Sequence, residues 1–192
     1  MDTVRQSTAT RSNRGVLHIV NGEVFAGAER VQDLLAQSLP QHGWDVSFAC
    51  LKQGQFPFRR SSSTPLEVFA MSSKLNFKVA GRISHWARAA GIELLHSHTP
   101  RSGLVARLVA RQLRLPWVHH VHSPTARDTE SPVRNLVNVA MERYGILGAA
   151  DRLICVADSL APELQVQGVP PSKIRTVHNG VAIATAEVYA EL

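Results

Sequence analysis

Two apolar segments of the 192-residue chain end in pairs of histidines, and these pairs are the clearest candidates for chemistry. His96 and His98 close the first segment, and His120 and His122 close the second. Residues two apart in a strand lie on the same face, so each pair is expected to share a face. Near neutral pH an imidazole can donate or accept a hydrogen bond, transfer a proton or bind a metal.

Four histidines near one edge of a sheet raise the question of a zinc site. No Cys, Asp or Glu joins them at ligand spacing, so the pattern argues against a metal, and we expect no cofactor. His122 stands before a polar loop and is the strongest candidate for a functional side chain; a loop histidine without a role is the alternative. We expect His18 and His119 to be core or strand histidines bonded to the backbone.

The segment Asn21–Glu29 joins an apolar segment to a helical one and contains Gly22 and Gly27. Glycine lets the backbone approach a ligand closely, and free amides at a helix N-terminus favour phosphate. The segment lacks the G-x-G-x-x-G and G-K-[S/T] patterns, and Lys52 rather than a carboxylate follows the second strand. We therefore expect neither NAD binding nor a P-loop. A phosphate site at Gly27 and Ala28 and a plain tight turn both stay open.

Three further polar residues are expected at the same edge. Thr99 follows His98 and should face the same crevice. Arg101 lies at a helix start, where a cation opposes the helix dipole, so it either points at an anionic ligand or is solvated. Glu29 lies in the first turn of another helix, where the dipole favours a carboxylate without any ligand.

The chain carries a formal net charge of +6 and has a pI of about 10.0, which favours an anionic partner. Basic side chains form a stripe of helical spacing at Lys74, Lys78, Arg82, His85 and Arg88. A basic amphipathic helix can lie on an anionic membrane, and a surface helix packed by its apolar side is the alternative. No helix-turn-helix, RRM or zinc-finger pattern occurs, so we expect no nucleic-acid partner.

Strand-like and helical segments alternate along the chain and must position these residues. Strand features occur at 16–20, 45–51, 66–70, 93–99, 117–123, 152–157 and 173–178, and helical features at 28–39, 74–90, 102–113, 132–147 and 160–166. Six or seven strands alternating with about five helices predict an α/β fold, a Rossmann-like three-layer α/β/α domain with a mostly parallel sheet. Ligands of such sheets bind at the carboxyl ends of the strands.

We expect one domain over residues 15–181 and a flexible basic tail over 1–14. Residues 182–192 are interpreted as the start of an interdomain linker or a truncated continuation. The tail lacks the apolar segment of a secretory signal, although its Arg and Ser content also permits a transit peptide. No stretch approaches the ~20 apolar residues of a membrane span. Cys50 and Cys155 lie in apolar runs and are interpreted as free thiols. We therefore predict a cytoplasmic protein, either free or at the inner face of the membrane.

Five segments, in order, resemble the retaining, GT-B-fold glycosyltransferases of family 4. They are Gly27-Ala28-Glu29 (a G-G-x-E turn), Ile92–His98 (D-hydrophobic-hydrophobic-H-x-H), His119–Ser123, Ala150–Ser159 and Val169–Val181 (G-x-P-x-x-K-hydrophobic-x-V-hydrophobic-x-N-G-V). The likeness runs from Val16 to Val181, most of the chain. Ala26 stands where the family turn has its first glycine.

The resemblance implies transfer of a sugar from a nucleotide-sugar donor to a sugar or lipid-linked acceptor, with retention and without a metal. It makes His122 the active-site histidine, which touches the donor sugar or the acceptor. It places Gly27, Ala28, Asn179 and Gly180 on the donor phosphate and sugar. The acceptor side is assigned Glu29, His98, Thr99 and Arg101.

Members of this family carry a second Rossmann-like domain, with an Arg/Lys pair for the donor phosphates and an E-x7-E motif. The chain ends at Leu192, so the resemblance covers the acceptor-side half, and we expect that half to be inactive without a donor-binding domain. The alternative is a non-catalytic acceptor-binding or membrane-docking subunit that needs a separate donor-binding chain. An unrelated Rossmann-like nucleotide enzyme is disfavoured by the absent dinucleotide fingerprint.

Overall fold

The computed structural model describes residues 13–73, 76–123 and 142–180, which form one parallel sheet with helices on both faces. The strands are β1 (Arg14–Val20), β2 (Trp44–Cys50), β3 (Leu66–Val68), β4 (Ile92–Ser97), β5 (Trp117–Val121), β6 (Arg152–Cys155) and β7 (Ile174–Thr176). Their order across the sheet is β3-β2-β1-β4-β5-β6-β7, and every neighbouring pair is parallel. The predicted Rossmann-like three-layer α/β/α fold is confirmed.

The helices connect consecutive strands, as a parallel sheet requires. They are α1 (Gly27–Ser38), α2 (Phe56–Arg59), α3 (Val79–Ala89), α4 (Pro100–Leu113) and α5 (Leu160–Val166). Short 3-10 turns cover Leu39–His42 and Pro171–Lys173, and a π-helical turn covers Arg143–Leu147.

Two apolar cores lie on the two faces of the sheet. The larger core packs α3, α4, α5 and the π-helical turn against residues such as Leu17, Leu95 and Leu153. The smaller core packs α1 and α2 against Val16, Val20 and Phe48. Because side chains alternate along a strand, odd-numbered residues of β1 enter the larger core and even-numbered residues the smaller one.

The predicted boundaries shift at several elements. The helix predicted over 74–90 begins at Val79, and residues 74 and 75 lie outside the described residues, as do 132–141 of the helix predicted over 132–147. The loop predicted over 53–64 contains α2, because Phe56 is fully buried with its ring 4.9 Å from that of Phe48.

The prediction that the flexible tail extends to residue 14 is wrong. Arg14 already belongs to β1, and its guanidinium bonds Glu93 at 3.1 Å and lies 4.3 Å from the centre of the Trp44 ring. Residues 1–12 and the segment 182–192 lie outside the described residues. Both cysteines are buried free thiols, as expected, and burial raises the pKa of Cys50 to about 12.

α1 turns a partly polar face to the protein, and one of its carboxylates ties down a loop. Asp33 is 4% exposed and accepts hydrogen bonds from the backbone amides of Ser61 at 2.7 Å and Ser62 at 2.9 Å. These bonds satisfy a carboxylate that would be costly to bury alone. The loop after α2 is thereby fixed to α1.

Two glycines make a matched test of this packing. A Cβ at Gly54 would lie 2.6 Å from the carbonyl oxygen of Gly22, whereas a Cβ at Gly81, inside α3, would meet no described residue within 4 Å. We predict that Gly54→Ala lowers the free energy of unfolding by about 1–3 kcal/mol, and that Gly81→Ala raises it by about 1 kcal/mol because alanine favours helix. Denaturant unfolding of both variants measures this, and equal effects would contradict the packing described for residues 22–23 and 54.

Candidate functional site

The order in which successive strands are added to the sheet changes direction at the boundary between β1 and β4. β2 and β3 lie on one side of β1, whereas β4 to β7 follow in order on the other side. In open parallel sheets the crevice at such a switch point, beyond the carboxyl ends of the strands, is where ligands bind. The residues that follow β1, β4 and β5 therefore define the candidate site.

The turn after β1 is held by the backbone of the segment after β2. The amide of Lys52 donates to the carbonyl of Asn21 at 2.9 Å, and the amide of Gln55 donates to the carbonyl of Glu23 at 3.1 Å. The Lys52 ammonium also pairs with the Glu23 carboxylate, and this hydrogen bond together with the charges of Lys52 and Arg101 lowers the pKa of Glu23. The turn thus has a fixed backbone shape.

α1 begins at this turn without a side-chain cap. Ala26 is the N-cap residue, and its amide donates to Glu29 Oε2 at 3.2 Å. Within the described parts of the chain, the amides of Gly27 and Ala28 have no hydrogen-bond acceptor. A Cβ added at Gly27 would meet no described residue within 4 Å, and Gly27 is exposed. Unpaired amides at a helix N-terminus form a favourable environment for an anion.

Thr99 caps α4 and links the ends of β1 and β4. Its hydroxyl accepts from the amide of Ser102 at 3.2 Å and contacts Asn21 Oδ1 at 3.3 Å. Ser102 reciprocates, because its hydroxyl accepts from the amide of Thr99 at 3.0 Å and from that of His98 at 3.1 Å. This capping box fixes the backbone where His98 leaves the strand.

Five imidazoles from three adjacent strands meet on one face of the sheet. They are His18 of β1, His96 and His98 on β4 and at its end, and His120 and His122 on β5 and at its end. We call these five residues the histidine cluster. The predicted sharing of faces is confirmed, and His98 and His122 are close neighbours.

Three members of the cluster form a continuous chain of contacts. His18 Nδ1 lies 3.1 Å from His98 Nε2, and His98 Nδ1 lies 3.2 Å from His122 Nε2. Each contact needs one N–H, so the tautomer of His98 sets both contacts at once. The remaining nitrogen of His122, Nδ1, is not used in this chain.

The cluster is buried, and burial keeps its imidazoles neutral. His98 is 4% exposed and His120 is 4% exposed, whereas His122 is half-buried. Desolvation lowers the pKa of His18 and His120 to about 3 and that of His122 to about 4. Burial, and then the charges of neighbouring histidines, lowers the pKa of His96 and His98 as well.

Several buried nitrogens of the cluster have no hydrogen-bond partner in the part of the chain that the structure describes. They are Nε2 of His18, Nε2 of His96 and both ring nitrogens of His120. The ligand atoms of His98, His120 and His122 lie within 4.8 Å of one another, and the same holds for His18, His96 and His98. Buried polar groups are nearly always paired in native proteins, so these nitrogens call for an explanation.

The prediction that His18 and His119 bond the backbone was wrong, because the contacts observed for both rings are with side chains. His119 faces the opposite side of the sheet, where Nδ1 lies 2.8 Å from the Ser97 hydroxyl, which also accepts from the Trp117 indole at 2.8 Å. His18 belongs to the histidine cluster. Sequence reasoning missed His18 and Asn21, although the even spacing of Val16, His18 and Val20 was the available signal.

The structure does not bring all predicted site residues together. Asn179 and Gly180 are exposed and follow β7, four strands away from β1, roughly 19 Å across the sheet. Arg101 lies near Glu23 at the switch point and is half-buried. Glu29 is 6% exposed and bonds its own turn.

The predicted basic stripe is only partly a helix surface. Lys78 precedes α3 as its N-cap, and Arg82, His85 and Arg88 are exposed on it, whereas Lys74 lies outside the described residues. Arg82 lies 5.5 Å from the centre of the Phe69 ring, beside a groove of about 440 Å³ lined by Glu67, Phe69, Arg82 and Trp86. No helix in the described parts of the chain is long and apolar enough to cross a bilayer.

Comparison with known proteins gives one family match. The model of Glycosyltransferase Family 4 matches residues 25–185. A D-inositol 3-phosphate glycosyltransferase from Streptomyces bingchenggensis (strain BCW-1) is 34% identical over 112 residues, which cover 53% of this chain and 24% of that protein. The chain therefore spans a minor part of the curated relative that it matches.

Solved structures share the fold. HepE from Anabaena, in complex with UDP and glucose, superposes with a TM-score of 0.71 at 16% identity over 88% of this chain and 45% of HepE. Sucrose-phosphate synthase from Thermosynechococcus elongatus superposes with a TM-score of 0.62 at 16% identity, over 93% of this chain and 52% of the synthase. The chain spans about half the length of these structures.

The neutral cluster makes a prediction about acid stability. A histidine whose pKa is near 6.5 in the unfolded chain and lower in the folded chain binds a proton on unfolding. Its contribution to the free energy of unfolding is therefore fully present above about pH 6.5 and is lost as the pH falls towards 4. Each such histidine costs up to about 1.4 kcal/mol per pH unit in that window. Five buried histidines, which include His119 on the other face, and the half-buried His122 should together exhaust the roughly 5–15 kcal/mol of a domain near pH 5.

Denaturant unfolding at pH 7.5, 6.5 and 5.5 measures this loss, and most carboxylates keep their charge over that range. A free energy of unfolding that stays constant between pH 7.5 and 5.5 would contradict the neutral, buried state of the cluster.

Proposed function

Because the chain belongs to Glycosyltransferase Family 4, we propose that it forms the acceptor-side domain of a retaining enzyme that transfers a sugar from a nucleotide-sugar donor to an acceptor. The observation that carries the proposal is the position of His122. It is the half-buried end of the histidine cluster, at the carboxyl end of β5, and it keeps one ring nitrogen free of the His18–His98–His122 chain.

A neutral imidazole at this position can donate a hydrogen bond to a sugar hydroxyl. If Nδ1 of His122 carries the proton, Nε2 accepts from Nδ1–H of His98, and Nε2 of His98 accepts from Nδ1–H of His18. One proton arrangement along three rings therefore presents a donor at His122. His98 and His18 act in this scheme as positioning residues, because neither has to touch the sugar.

The start of α1 is the proposed contact for the donor phosphates. The amides of Gly27 and Ala28 are unpaired among the described residues, and the space beside Gly27 is open. The ends of β1 and β4 are joined by the Thr99–Asn21 contact, so this turn and the histidine cluster border the same crevice. Asn179 and Gly180, at the far edge of the sheet, would meet the donor only where a second domain closes over the chain.

The proposed reaction breaks the bond between the anomeric carbon and the donor's phosphate oxygen and forms a bond from the same face to the acceptor oxygen. The acceptor hydroxyl loses its proton, and the leaving nucleoside diphosphate takes it up. The protein's part is to position both partners and to stabilise the charge that develops on the leaving phosphate. Retention is proposed from the likeness of the five motifs to the retaining group, and no metal is assigned to this step.

The acceptor is proposed to bind along the edge formed by β4 and α4. Arg101 offers a cation beside Glu23, which suits an acceptor with an anionic group, and Thr99 shapes the wall through its cap. Glu29 supports acceptor binding by holding the turn at Ala26, from whose amide it accepts a hydrogen bond. His98 supports acceptor binding by positioning His122. HepE was solved with UDP and glucose, which supports a nucleoside diphosphate as the donor's leaving group.

We predict that His122→Ala lowers turnover by about 10²-fold, which corresponds to roughly 3 kcal/mol for one well-placed donor. The measurement is release of nucleoside diphosphate by the chain fused to a donor-binding second domain of the family. The chain alone should show no transfer, because one helix start cannot bind the donor's phosphates and also exclude water.

The exposed histidine His42 provides the matched control, since it lies in the 3-10 turn after α1. His42→Ala should leave turnover unchanged, and thermal melts of both variants should stay close to that of the parent. Full activity in the His122 variant would remove that residue from the site. Transfer by the chain alone would contradict the need for a second domain.

Charge on α3 favours a second, compatible role at an anionic membrane surface, and with it a cytoplasmic location at the inner face of the membrane. Lys78, Arg82 and Arg88 are exposed, and the neighbouring groove exposes part of Trp86. Each basic residue near an anionic surface contributes about 1 kcal/mol to binding. The same surface would serve a non-catalytic docking subunit, which the turnover measurement distinguishes.

We predict that Lys78→Glu combined with Arg82→Glu abolishes binding to vesicles of phosphatidylserine and phosphatidylcholine at moderate salt. Co-sedimentation measures the bound fraction. Arg152→Glu combined with Arg175→Glu changes the net charge equally on exposed residues of β6 and β7 and should retain most binding. Equal losses in the two double variants, or no binding by the parent, would contradict docking through α3.

A further inference from the structure

The unpaired nitrogens of the histidine cluster point to a ligand that the sequence pattern argued against. His120 is 4% exposed, and among residues 13–73, 76–123 and 142–180 neither of its ring nitrogens has a hydrogen-bond partner. A buried imidazole with no partner loses the hydration of its lone pair and gains nothing in exchange. The pKa values in this cluster are lowered by burial, so the rings offer lone pairs rather than charge at neutral pH.

The spacing of the rings matches metal coordination. Zinc binds imidazole nitrogen at about 2.0–2.1 Å in tetrahedral sites, so two nitrogens of one site lie about 3.3 Å apart. His98 Nδ1 and His122 Nε2 are 3.2 Å apart. The ring centres of His120 and His122 are 4.4 Å apart, and one nitrogen of each of the three residues lies within 4.8 Å of the others.

We propose that His98, His120 and His122 form a binding site for one divalent transition-metal ion of the zinc type. Three imidazoles without a carboxylate suit zinc, cobalt, nickel or copper and disfavour magnesium and calcium, which require oxygen ligands. His122 is half-buried, which gives an ion access and leaves a fourth position for water or a ligand. The triad of His18, His96 and His98 is wholly buried and lacks such access.

His18 supplies the outer contact that such a site needs. A metal-bound histidine usually donates its other ring N–H to a neighbour, which fixes its tautomer. His98 Nε2 lies 3.1 Å from His18 Nδ1. If Nε2–H of His98 donates to His18, Nδ1 of His98 is left as a lone pair for the metal.

This tautomer of His98 is the opposite of the one that makes His122 a donor to sugar. Metal binding and the proposed use of His122 would therefore exclude each other, a consequence that rests on the proposed function. The proposal of metal binding does not rest on the proposed function, because metal binding can be measured on the 192-residue chain without donor or acceptor.

The test uses zinc and cobalt as probes on the metal-free chain. Competition with a chromophoric chelator should give one tightly bound zinc per chain. His120→Ala and His122→Ala should each weaken zinc binding by at least about tenfold, and His18→Ala, which removes the outer contact, by about 10–100-fold. Cobalt should give the absorption bands of a tetrahedral site in the parent, and these should vanish in His122→Ala.

His42→Ala is the matched control for adventitious binding by an exposed histidine and should bind zinc like the parent. His120 is buried and its variant could unfold, so His122→Ala decides the outcome if the melt of His120→Ala is lost. Absence of stoichiometric zinc binding by the parent would overturn the proposal. Binding unchanged in His122→Ala, or weakened equally in His42→Ala, would overturn it too.

Discussion

The parallel register of three adjacent strands is the constraint on which the site depends. β1 pairs with β4 so that His18 lies beside His96, and β4 pairs with β5 one strand further on. Strand alternation then carries His98, His120 and His122 to the same face. A shift by one residue in either pairing would send these side chains to the apolar core on the opposite face. The assembly of the five imidazoles therefore depends on the register of these strand pairs.

The sequence predicted the architecture well because apolar periodicity, and the glycine and proline residues that end strands and helices, are local signals. The alternation of apolar segments with helical ones predicted the parallel sheet, and the two-residue spacing predicted that His96 and His98, like His120 and His122, share a face of the sheet. What the sequence could not supply was ring-to-ring geometry. Whether His98 has a free ring nitrogen or uses both in contacts with other histidines depends on the position of His18, which is 80 residues away in the chain.

Ligand spacing in the sequence has the same limit. No Cys, Asp or Glu stands at ligand spacing beside these histidines, whereas the fold assembles imidazoles from three strands into two triads. The start of α3 is a second case. Helical spacing in the sequence continued back to Lys74, whereas α3 begins at Val79, and its residues Val79, Ala80 and Ile83 pack in the larger core. Glu29, Asp33 and Thr99 each accept a hydrogen bond from a backbone amide.

We infer that the carboxyl edge of β1, β4 and β5 holds neutral imidazoles whose proton positions are coupled through His98. Long-range proton–nitrogen NMR correlations of the histidine rings, recorded on the metal-free chain at pH 6, test this arrangement. We expect His18, His98 and His122 each to show one protonated and one bare ring nitrogen, because burial lowers the pKa of all three. Imidazolium patterns, with both nitrogens protonated, at His98 or His122 would contradict it.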